Sequence, residues 1–296
     1  MAVDFPRHAC TYAERLAAVC TPFRLQLEPD SREWDEDDGY SVDPFGETGE
    51  AAGVHGLKQR FPDRVLVMTS DSCFMNCRHC TRKGLLAETE VVRTDEELQN
   101  CVDYVKVHPE VRDVLLSGGD PLVLPDDEVL RFVETFAALE QIEVVRLCTR
   151  APCVNPVRVT KALAQRLRAC GKVWVNTQFN CAGELTPEAT AACGLLVDAG
   201  IPVSCQTVLL AGVNDSVEAM LALFRALQRA RVRPYYVFQC DPVAGVSHFR
   251  VPLERAKQIA AGCAERIGGL ALPRFVADLP SAKRKIPIEE LVDGRW

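Results

Sequence analysis

Three cysteines lie close together in the sequence CFMNCRHC, directly after a hydrophobic, strand-like stretch, RVLVMTS. They are Cys73, Cys77 and Cys80. A 4Fe–4S cluster normally takes four protein thiolates, so a triad without an obvious fourth cysteine would leave one iron open to a ligand that is not protein. The triad therefore predicts an iron–sulfur site with an open coordination position.

Zinc is the main alternative metal for these thiols. Zinc sites usually pair two CxxC knuckles, or one knuckle with two histidines, whereas the Cys77–Cys80 knuckle has no second one and His79 lies inside the same loop. The spacing therefore favours iron and sulfur over zinc. The other eleven cysteines are scattered singly, which is typical of small core residues. These are Cys10, Cys20, Cys101, Cys148, Cys153, Cys170, Cys181, Cys193, Cys205, Cys240 and Cys263.

The composition is that of a chain with one large core. Of its 296 residues, 48% are hydrophobic and 25% are charged, which suits a single catalytic domain. The absence of a long apolar run and of a secretory N-terminus predicts a cytoplasmic protein, where thiols stay reduced. The net charge of −7 argues against a nucleic-acid partner. Residues 28–50 carry ten carboxylates and are predicted to be a solvated linker, packed loosely on the domain.

Hydrophobic, β-rich stretches alternate with amphipathic helical stretches, which predicts six βα units and a parallel sheet. A further short strand is predicted near 273–277. Thr94 and Glu97 form a capping box, Thr186 before a proline suits a helix start, and Gly200 suits a helix end. The six predicted strands are 64–69, 113–117, 143–148, 173–179, 202–208 and 234–239.

Polar residues and glycines cluster where the predicted strands end. The C-terminal strand ends of a (β/α) barrel build its active site, so these residues predict one site at that face. The sequence GGDP is weak evidence alone, because a tight turn before Pro125 explains it as well as close approach to a ligand does. In chain order the residues are the cysteine triad, Gly118, Gly119, Asp120, Arg150, Gln178, Asn180, Gln206, Asp241, Asp278 and Lys285.

The CxxxCxxC spacing is the signature of the radical S-adenosylmethionine (SAM) superfamily, and the chain resembles the lysine 2,3-aminomutase family within it. The resemblance runs from about Gly56 to Ile288. It implies a partial (β/α)6 barrel of the radical SAM type over residues 56–288, after an N-terminal helical and acidic irregular segment, 1–55, and before a tail, 289–296. The blocks that carry it are LKQRFPDRVL, CRHCTRKG, LLSGGDPL, VNTQFN, QTVLLAGVND, RPYYVFQCDPVAGVSHFR and KIP.

The resemblance implies that the cysteine triad holds a 4Fe–4S cluster whose open iron binds the amino and carboxylate groups of SAM. Gly118, Gly119 and Asp120 are then expected to seat the methionine amino group, and Gln178 and Gln206 to face SAM. The β-hydrogen of an amino acid is too weakly acidic for a side-chain base at neutral pH. Radical chemistry from a cofactor avoids that charge, and the protein's task is to orient the reactants and exclude competing reactions.

A second cofactor, pyridoxal 5′-phosphate (PLP), is implied by Lys285 in KIP, which matches the family's PLP lysine. PLP would give the migrating nitrogen a neighbouring π-system. The adjacent Lys283 and Arg284 suggest a lowered amine pKa, or equally a merely basic tail. Arg60 matches a family arginine that anchors the PLP phosphate, a use that suits its fork of donors.

Substrate selection is expected from charged groups at the mouth of the barrel. By resemblance, Arg82 binds the substrate carboxylate, and Asp241 and Asp278 receive the distal ammonium of lysine. Two buried carboxylates raise one another's pKa unless a cation lies between them. The pair therefore predicts a cationic ligand and favours lysine over glutamate.

Several residues depart from the family pattern. The usual HFNH block reads QFNC, with Gln178 and Cys181 in place of histidines, SAKR replaces a glycine-rich loop before Lys285, and Phe61 and Phe238 stand where tyrosine is usual. The chain also ends at Trp296, without the long C-terminal extension of the fermentative enzymes, so assembly through such an extension is not expected.

The leading hypothesis is a SAM- and PLP-dependent isomerase that converts L-lysine to β-lysine. The alternatives are action on arginine, action on a lysine destined for elongation factor P, a radical SAM enzyme without PLP, and a non-catalytic metal or electron-transfer protein. The expected partners are a small amino-acid substrate and an electron donor such as flavodoxin or ferredoxin. No membrane partner is expected, and a homodimer is compatible with the sequence.

Overall fold

The architecture comes from a computed structural model of the chain. It describes residues 5–35, 39–47, 54–84, 93–279 and 282–292. The predicted loop change at SAKR lies partly outside these residues, because Ser281 is not among them.

One curved sheet of nine strands forms the centre of the described chain, and its spatial order is the order of the sequence. The strands β2 to β8 are parallel, while β1 and β9 pair antiparallel to their neighbours at the two edges. All seven predicted strands are confirmed to within one residue at each end. The strands are β1 Leu57–Phe61, β2 Arg64–Ser70, β3 Asp113–Gly118, β4 Val144–Cys148, β5 Val173–Gln178, β6 Val203–Leu209, β7 Arg233–Gln239, β8 Arg274–Ala277 and β9 Ile286–Pro287.

Helices connect the parallel strands and cover the outside of the sheet. The predicted capping residues are confirmed: Thr94 accepts from the Glu97 backbone N–H, and Thr186 accepts from the Ala189 N–H. Gly200 follows the end of its helix with a φ of +84°, the left-handed geometry that favours glycine there. The helices are α1 Thr11–Val19, α2 Thr21–Arg24, α3 Asp95–Val107, α4 Asp126–Ala137, α5 Ala151–Val154, α6 Lys161–Ala169, α7 Pro187–Asp198, α8 Val217–Arg229 and α9 Leu253–Ala264.

The hydrophobic core fills the space between the sheet and the helices. Helix α4 shows the pattern, since it buries Val129, Phe132, Val133 and Phe136 on one face and begins with three acidic residues. These acids lie where the positive end of the helix dipole stabilises negative charge. Burial of such aromatic and branched side chains is the main stabilising contribution to the fold.

The acidic segment is attached to the domain more firmly than the sequence suggested. Glu33 is 4% exposed, and it pairs with the buried side chains of Arg78 and Lys83. Ser41 further on forms a β-bridge with Val243. The expectation of a loosely packed linker is therefore wrong for these residues, because two buried cations require a buried carboxylate beside them.

The sheet remains open, with no pairing between its first and last strands in the described part of the chain. Its two ends nevertheless come close, since Arg60 of β1 pairs with Asp278, the residue after β8. The C-terminal ends of the parallel strands surround a cavity of about 380 Å³. Within the described residues, no helix is long and apolar enough to span a membrane.

Candidate active site

The loop after β2 carries the cysteine triad into the cavity. Cys73, Cys77 and Cys80 all line the cavity and all are free thiols. The N-terminal segment holds this loop in place: the Cys10 N–H donates to the Phe74 carbonyl at 2.8 Å. The three thiols therefore have the chemistry and the common location that a cluster with one open iron requires.

A single metal ion fits these residues less well. No group of three or more His, Cys, Asp or Glu side chains in the described parts of the chain is arranged to hold one ion. In a cubane cluster each thiolate binds a different iron, so the cysteines need not converge on one point. The arrangement supports the iron–sulfur interpretation over the zinc alternative.

The glycines after β3 pack against the start of the cysteine loop. A Cβ on Gly118 would lie 2.6 Å from the Ser70 carbonyl oxygen, and one on Gly119 would lie 2.1 Å from the Ser72 carbonyl oxygen. Gly118 also has a φ of +105°. Both glycines are therefore required by close approach of the protein's own backbone, whatever ligand they contact in addition.

The carboxylate of Asp120 is hydrogen-bonded by donors of the protein itself. It accepts hydrogen bonds from the Leu122 N–H at 2.9 Å, the Thr149 hydroxyl at 2.6 Å and the Arg150 N–H at 2.7 Å. This side chain fixes the turn after β3 to the end of β4. Contact between the 118–120 turn and SAM stays a prediction.

Gln178, the last residue of β5, and Gln206, in the middle of β6, are register partners and lie side by side. Gln178 Nε2 lies 3.1 Å from Nε2 of His79, in the cysteine loop. Burial, together with Arg150 and Lys83, lowers the pKa of His79 well below its ordinary value, so the ring is neutral. Both glutamines line the cavity, and their contact with SAM stays a prediction.

Two residues of β5 were missed by the sequence reasoning. Asn176 and Thr177 line the cavity, and the Asn176 Nδ2 and Thr177 Oγ1 atoms are buried with no hydrogen-bond partner among the described residues. A buried polar atom without a partner is costly, so these atoms are candidates to bind a ligand. The available signal was a run of three polar residues, ending in the selected Gln178, in a strand that begins with three apolar ones.

Lys285 also lines the cavity, and its amine lies close to two aromatic rings. Its Nζ is 5.1 Å from the ring centres of both Phe61 and Phe238, and it pairs with Asp278. Burial lowers the pKa of Lys285, Asp278 opposes this, and Arg60 lowers it further. A half-buried amine with a lowered pKa, flanked by aromatic faces, fits the attachment of an aldehyde cofactor.

The cation beside Lys285 is not the one expected from sequence. Lys283 and Arg284 are both exposed, and Arg284 pairs with Glu290. The guanidinium that contributes to the lowered pKa is Arg60, 2.9 Å from Asp278. The suggestion that Lys283 and Arg284 lower this pKa is therefore wrong, whereas the alternative of a merely basic tail fits their exposure.

The two predicted aspartates line the same cavity but differ in the charged groups around them. Asp278 is neutralised by Arg60 and Lys285, which are the chain's own cations. The argument that the aspartate pair by itself implies a cationic ligand is therefore wrong. Asp241 is half-buried, and its burial together with the charge of Asp278 raises its pKa to about 7.

Arg82 lines the cavity and is held by a residue that the sequence reasoning did not select. Its Nε and Nη2 atoms donate to the two oxygens of Glu47 at 2.6 and 3.0 Å. This bidentate pair fixes the plane of the guanidinium. Its Nη1 atom makes no hydrogen bond to the described residues, so one edge of the fork is available to a further carboxylate.

The predicted site residues line this one cavity together with Arg64 and Arg146, with one exception. Asn180 is wrong as a cavity residue, because its fully buried side chain is bonded to Gln26 and to the Val208 N–H. The cysteine-lined side of the cavity suits a cluster and its Lys285 side suits a phosphate-bearing aldehyde. These features define a radical SAM enzyme, and the sequence profile of the Radical SAM superfamily matches residues 67–224, so the chain belongs to that superfamily. A radical SAM methyltransferase from Sphaerobacter thermophilus has the same fold, with a TM-score of 0.55 and 19% identity over 74% of this chain and 68% of that one.

Within the superfamily, the chain belongs to the lysine 2,3-aminomutase family, since the putative L-lysine 2,3-aminomutase of Aquifex aeolicus is 40% identical over 90% of this chain and 72% of the relative. L-lysine 2,3-aminomutase from Fusobacterium nucleatum is 40% identical over 90% of this chain and 63% of the relative. Glutamate 2,3-aminomutase from Clostridioides difficile is 33% identical over 91% of this chain and 64% of the relative. The chain thus spans less than two thirds of the length of the Fusobacterium and Clostridioides relatives.

Proposed function

We propose that this protein is a radical SAM amino-acid 2,3-aminomutase that uses PLP, with conversion of L-lysine to β-lysine as its leading reaction. The observation that carries the proposal is the convergence of the cysteine triad, Lys285 and two aspartates on one cavity. Family membership supports the reaction type. The residues at the two sides of the cavity support the use of two cofactors.

Each of the two cofactors is assigned to a different group of cavity residues. Cys73, Cys77 and Cys80 would hold the 4Fe–4S cluster, and Lys285 with Arg60 would hold PLP. When bound, the cluster and SAM supply a carbon radical that removes a hydrogen atom, and PLP supplies a π-system beside the migrating nitrogen.

The charges in the cavity support a substrate with a carboxylate at one end and a cation at the other. Arg82 offers the free edge of its guanidinium to the carboxylate. Asp241 offers a carboxylate that becomes ionised near pH 7, and a distal ammonium would stabilise that ionised form. A glutamate side chain would instead bring a further negative charge to Asp241. Lysine is therefore favoured over glutamate, and arginine is the nearest basic rival.

The test is an anaerobic incubation of the reconstituted protein with SAM, PLP, a low-potential electron donor such as flavodoxin, and isotopically labelled amino acids. Lysine, arginine, ornithine and glutamate would be compared. We expect β-lysine from lysine and exchange of label between lysine and SAM. If SAM is cleaved but lysine neither exchanges label nor isomerises, the lysine proposal fails.

A second candidate is a radical SAM enzyme that does not use PLP. The observation that favours it is the pairing of Lys285 with Asp278, which a purely structural lysine would also make. The two candidates differ in the absorbance of PLP bound to the protein. We expect a PLP absorbance band in the wild type that is lost in Lys285→Ala, and a wild type without this band would favour the second candidate.

A further inference from the structure

Arg150 connects the cysteine loop to the rest of the barrel. It follows β4, and its backbone is fixed by the hydrogen bond to Asp120. Its side chain is 8% exposed, and its Nη1 atom donates to the Cys77 sulfur at 2.9 Å. A buried guanidinium needs compensating partners, and a cysteine sulfur is one of them here.

The other end of the guanidinium is held by two buried groups. Arg150 Nη2 donates to Gln26 Oε1 at 2.6 Å and to Glu184 Oε1 at 3.1 Å. Glu184 is in turn fixed by the Gln26 amide at 2.7 Å and by the Asn180 N–H at 2.5 Å. Because Gln26 and Glu184 are fully buried, the guanidinium has little freedom to turn away from the sulfur.

We propose that Arg150 is a positioning residue that keeps a charged N–H donor on the Cys77 thiolate and thereby makes the cluster easier to reduce. One-electron reduction by an external low-potential donor adds one negative charge to the cluster. Arg150 stays protonated, so it stabilises the reduced form more than the oxidised form. Hydrogen bonds to the sulfurs are among the features that set cluster potentials.

This inference rests on the proposed cluster site but not on the identity of the substrate. Its test therefore uses the reconstituted protein without SAM, PLP or amino acid. A redox titration followed by electron paramagnetic resonance measures the cluster's midpoint potential. If no aminomutase activity is found, the potential can still be measured, so the two proposals can fail separately.

The main variant is Arg150→Gln, which removes the charge. We expect its midpoint potential to be more negative than that of the wild type. The matched control is Arg146→Gln, because Arg146 lines the same cavity but its guanidinium pairs with Asp113 and, among the described residues, hydrogen-bonds none of the three cluster cysteines. We expect the control to shift the potential less. An Arg150→Gln potential equal to the wild type would overturn the inference.

Two further variants decide the question if Arg150→Gln does not retain a cluster. Arg150→Lys keeps the charge and is expected to lie between the wild type and the glutamine variant. Glu184→Gln removes the carboxylate that partly neutralises Arg150, so we expect a shift in the opposite direction, to a more positive potential. A Glu184→Gln potential at or below that of the wild type would contradict the proposed role of Arg150.

Discussion

Asp241 is the residue whose ionisation depends most directly on what the cavity contains. Its pKa is raised to about 7 by burial and by the nearby charge of Asp278, while Lys285 and Arg60 lower it. Below that pH the side chain is neutral and cannot balance a substrate ammonium. Above it, the carboxylate is charged and a cationic ligand is bound more tightly.

The first prediction follows from this ionisation. We expect kcat/KM for lysine to fall as the pH decreases through about 7, because protonation of Asp241 in the free enzyme removes the counter-charge. Asp241→Asn should lower kcat/KM by ~30-fold or more, the equivalent of about 2 kcal/mol for a lost charge pair. The variant should also lose this acidic limb. A limb that persists unchanged in Asp241→Asn would assign the titration to another group.

For individual residues, the sequence predicted which side chains lie in the cavity better than it predicted which side chains they pair with. The chemistry of cysteine, lysine and aspartate marked these side chains as candidates, and all the selected ones line the cavity. Their pairings were not visible, because Arg60 and Asp278 are 218 positions apart and Arg82 and Glu47 are 35 apart. Such contacts depend on how the sheet curves, which local sequence does not encode.

Among the elements, the close contact between the β3 turn and the loop before Cys73 is the most sensitive to side-chain size. We predict that Gly119→Ala reduces the iron bound per chain after reconstitution, since its Cβ would meet the Ser72 backbone at 2.1 Å. The associated loss of stability should be about 1–3 kcal/mol. Gly268→Ala is the control, because nothing lies within 4 Å of its Cβ. Normal iron content in both variants would show that the loop can move without cost.

The short turn Ser31–Trp34 is joined to the cysteine loop by buried charge. Glu33 accepts from Arg78 Nε at 2.8 Å and from Lys83 Nζ at 2.6 Å. Burial opposes ionisation of Glu33, but these two cations hold its pKa below the ordinary value of a glutamate. The pair therefore stabilises the fold above pH ~4.3, the ordinary glutamate pKa, and loses this contribution as the pH falls through the lower folded-state value.

Replacement of Glu33 tests how much this charge cluster contributes to stability. Glu33→Gln should lower the free energy of unfolding at neutral pH by about 3–5 kcal/mol, because Arg78 and Lys83 remain buried without a counter-charge. Urea denaturation measures the loss. Glu254→Gln is the matched control, since Glu254 is exposed and pairs with the half-buried Lys257, and ion pairs at the surface contribute at most about 1 kcal/mol. Equal effects of the two substitutions would mean that water reaches the Glu33 cluster.

The elements that sequence predicted well were the parallel strands, whose apolar runs reflect burial on both faces. The sequence did not predict the antiparallel edge strands β1 and β9, and the reason differs between the two. LKQRF alternates weakly and carries three polar residues, as an edge strand can, and β9 is only two residues long. Pairing with a neighbour defines both strands, and a single sequence does not show that neighbour.

In the whole molecule, the N-terminal segment packs against the open sheet and forms part of the structure around the cavity. Phe23 and Leu27 are fully buried in the same hydrophobic core as the barrel strands. Gln26 reaches Arg150, and Glu33 reaches the cysteine loop. The division at residue 55 stays a prediction from the sequence, and from these contacts we expect residues 1–55 and the barrel to unfold as one cooperative unit.

Removal of residues 1–55 tests this cooperativity. We expect the full chain to unfold in a single transition, and the 56–296 fragment to be less stable by at least the 3–5 kcal/mol expected for Glu33→Gln, with further loss from the exposed core. This is a large fraction of the ~5–15 kcal/mol typical of a folded domain, so the fragment should also bind less iron. Calorimetry and iron analysis measure both effects. A fragment with the midpoint and iron content of the full chain would show that the segment is an independent unit and that the cysteine loop keeps its conformation without Glu33.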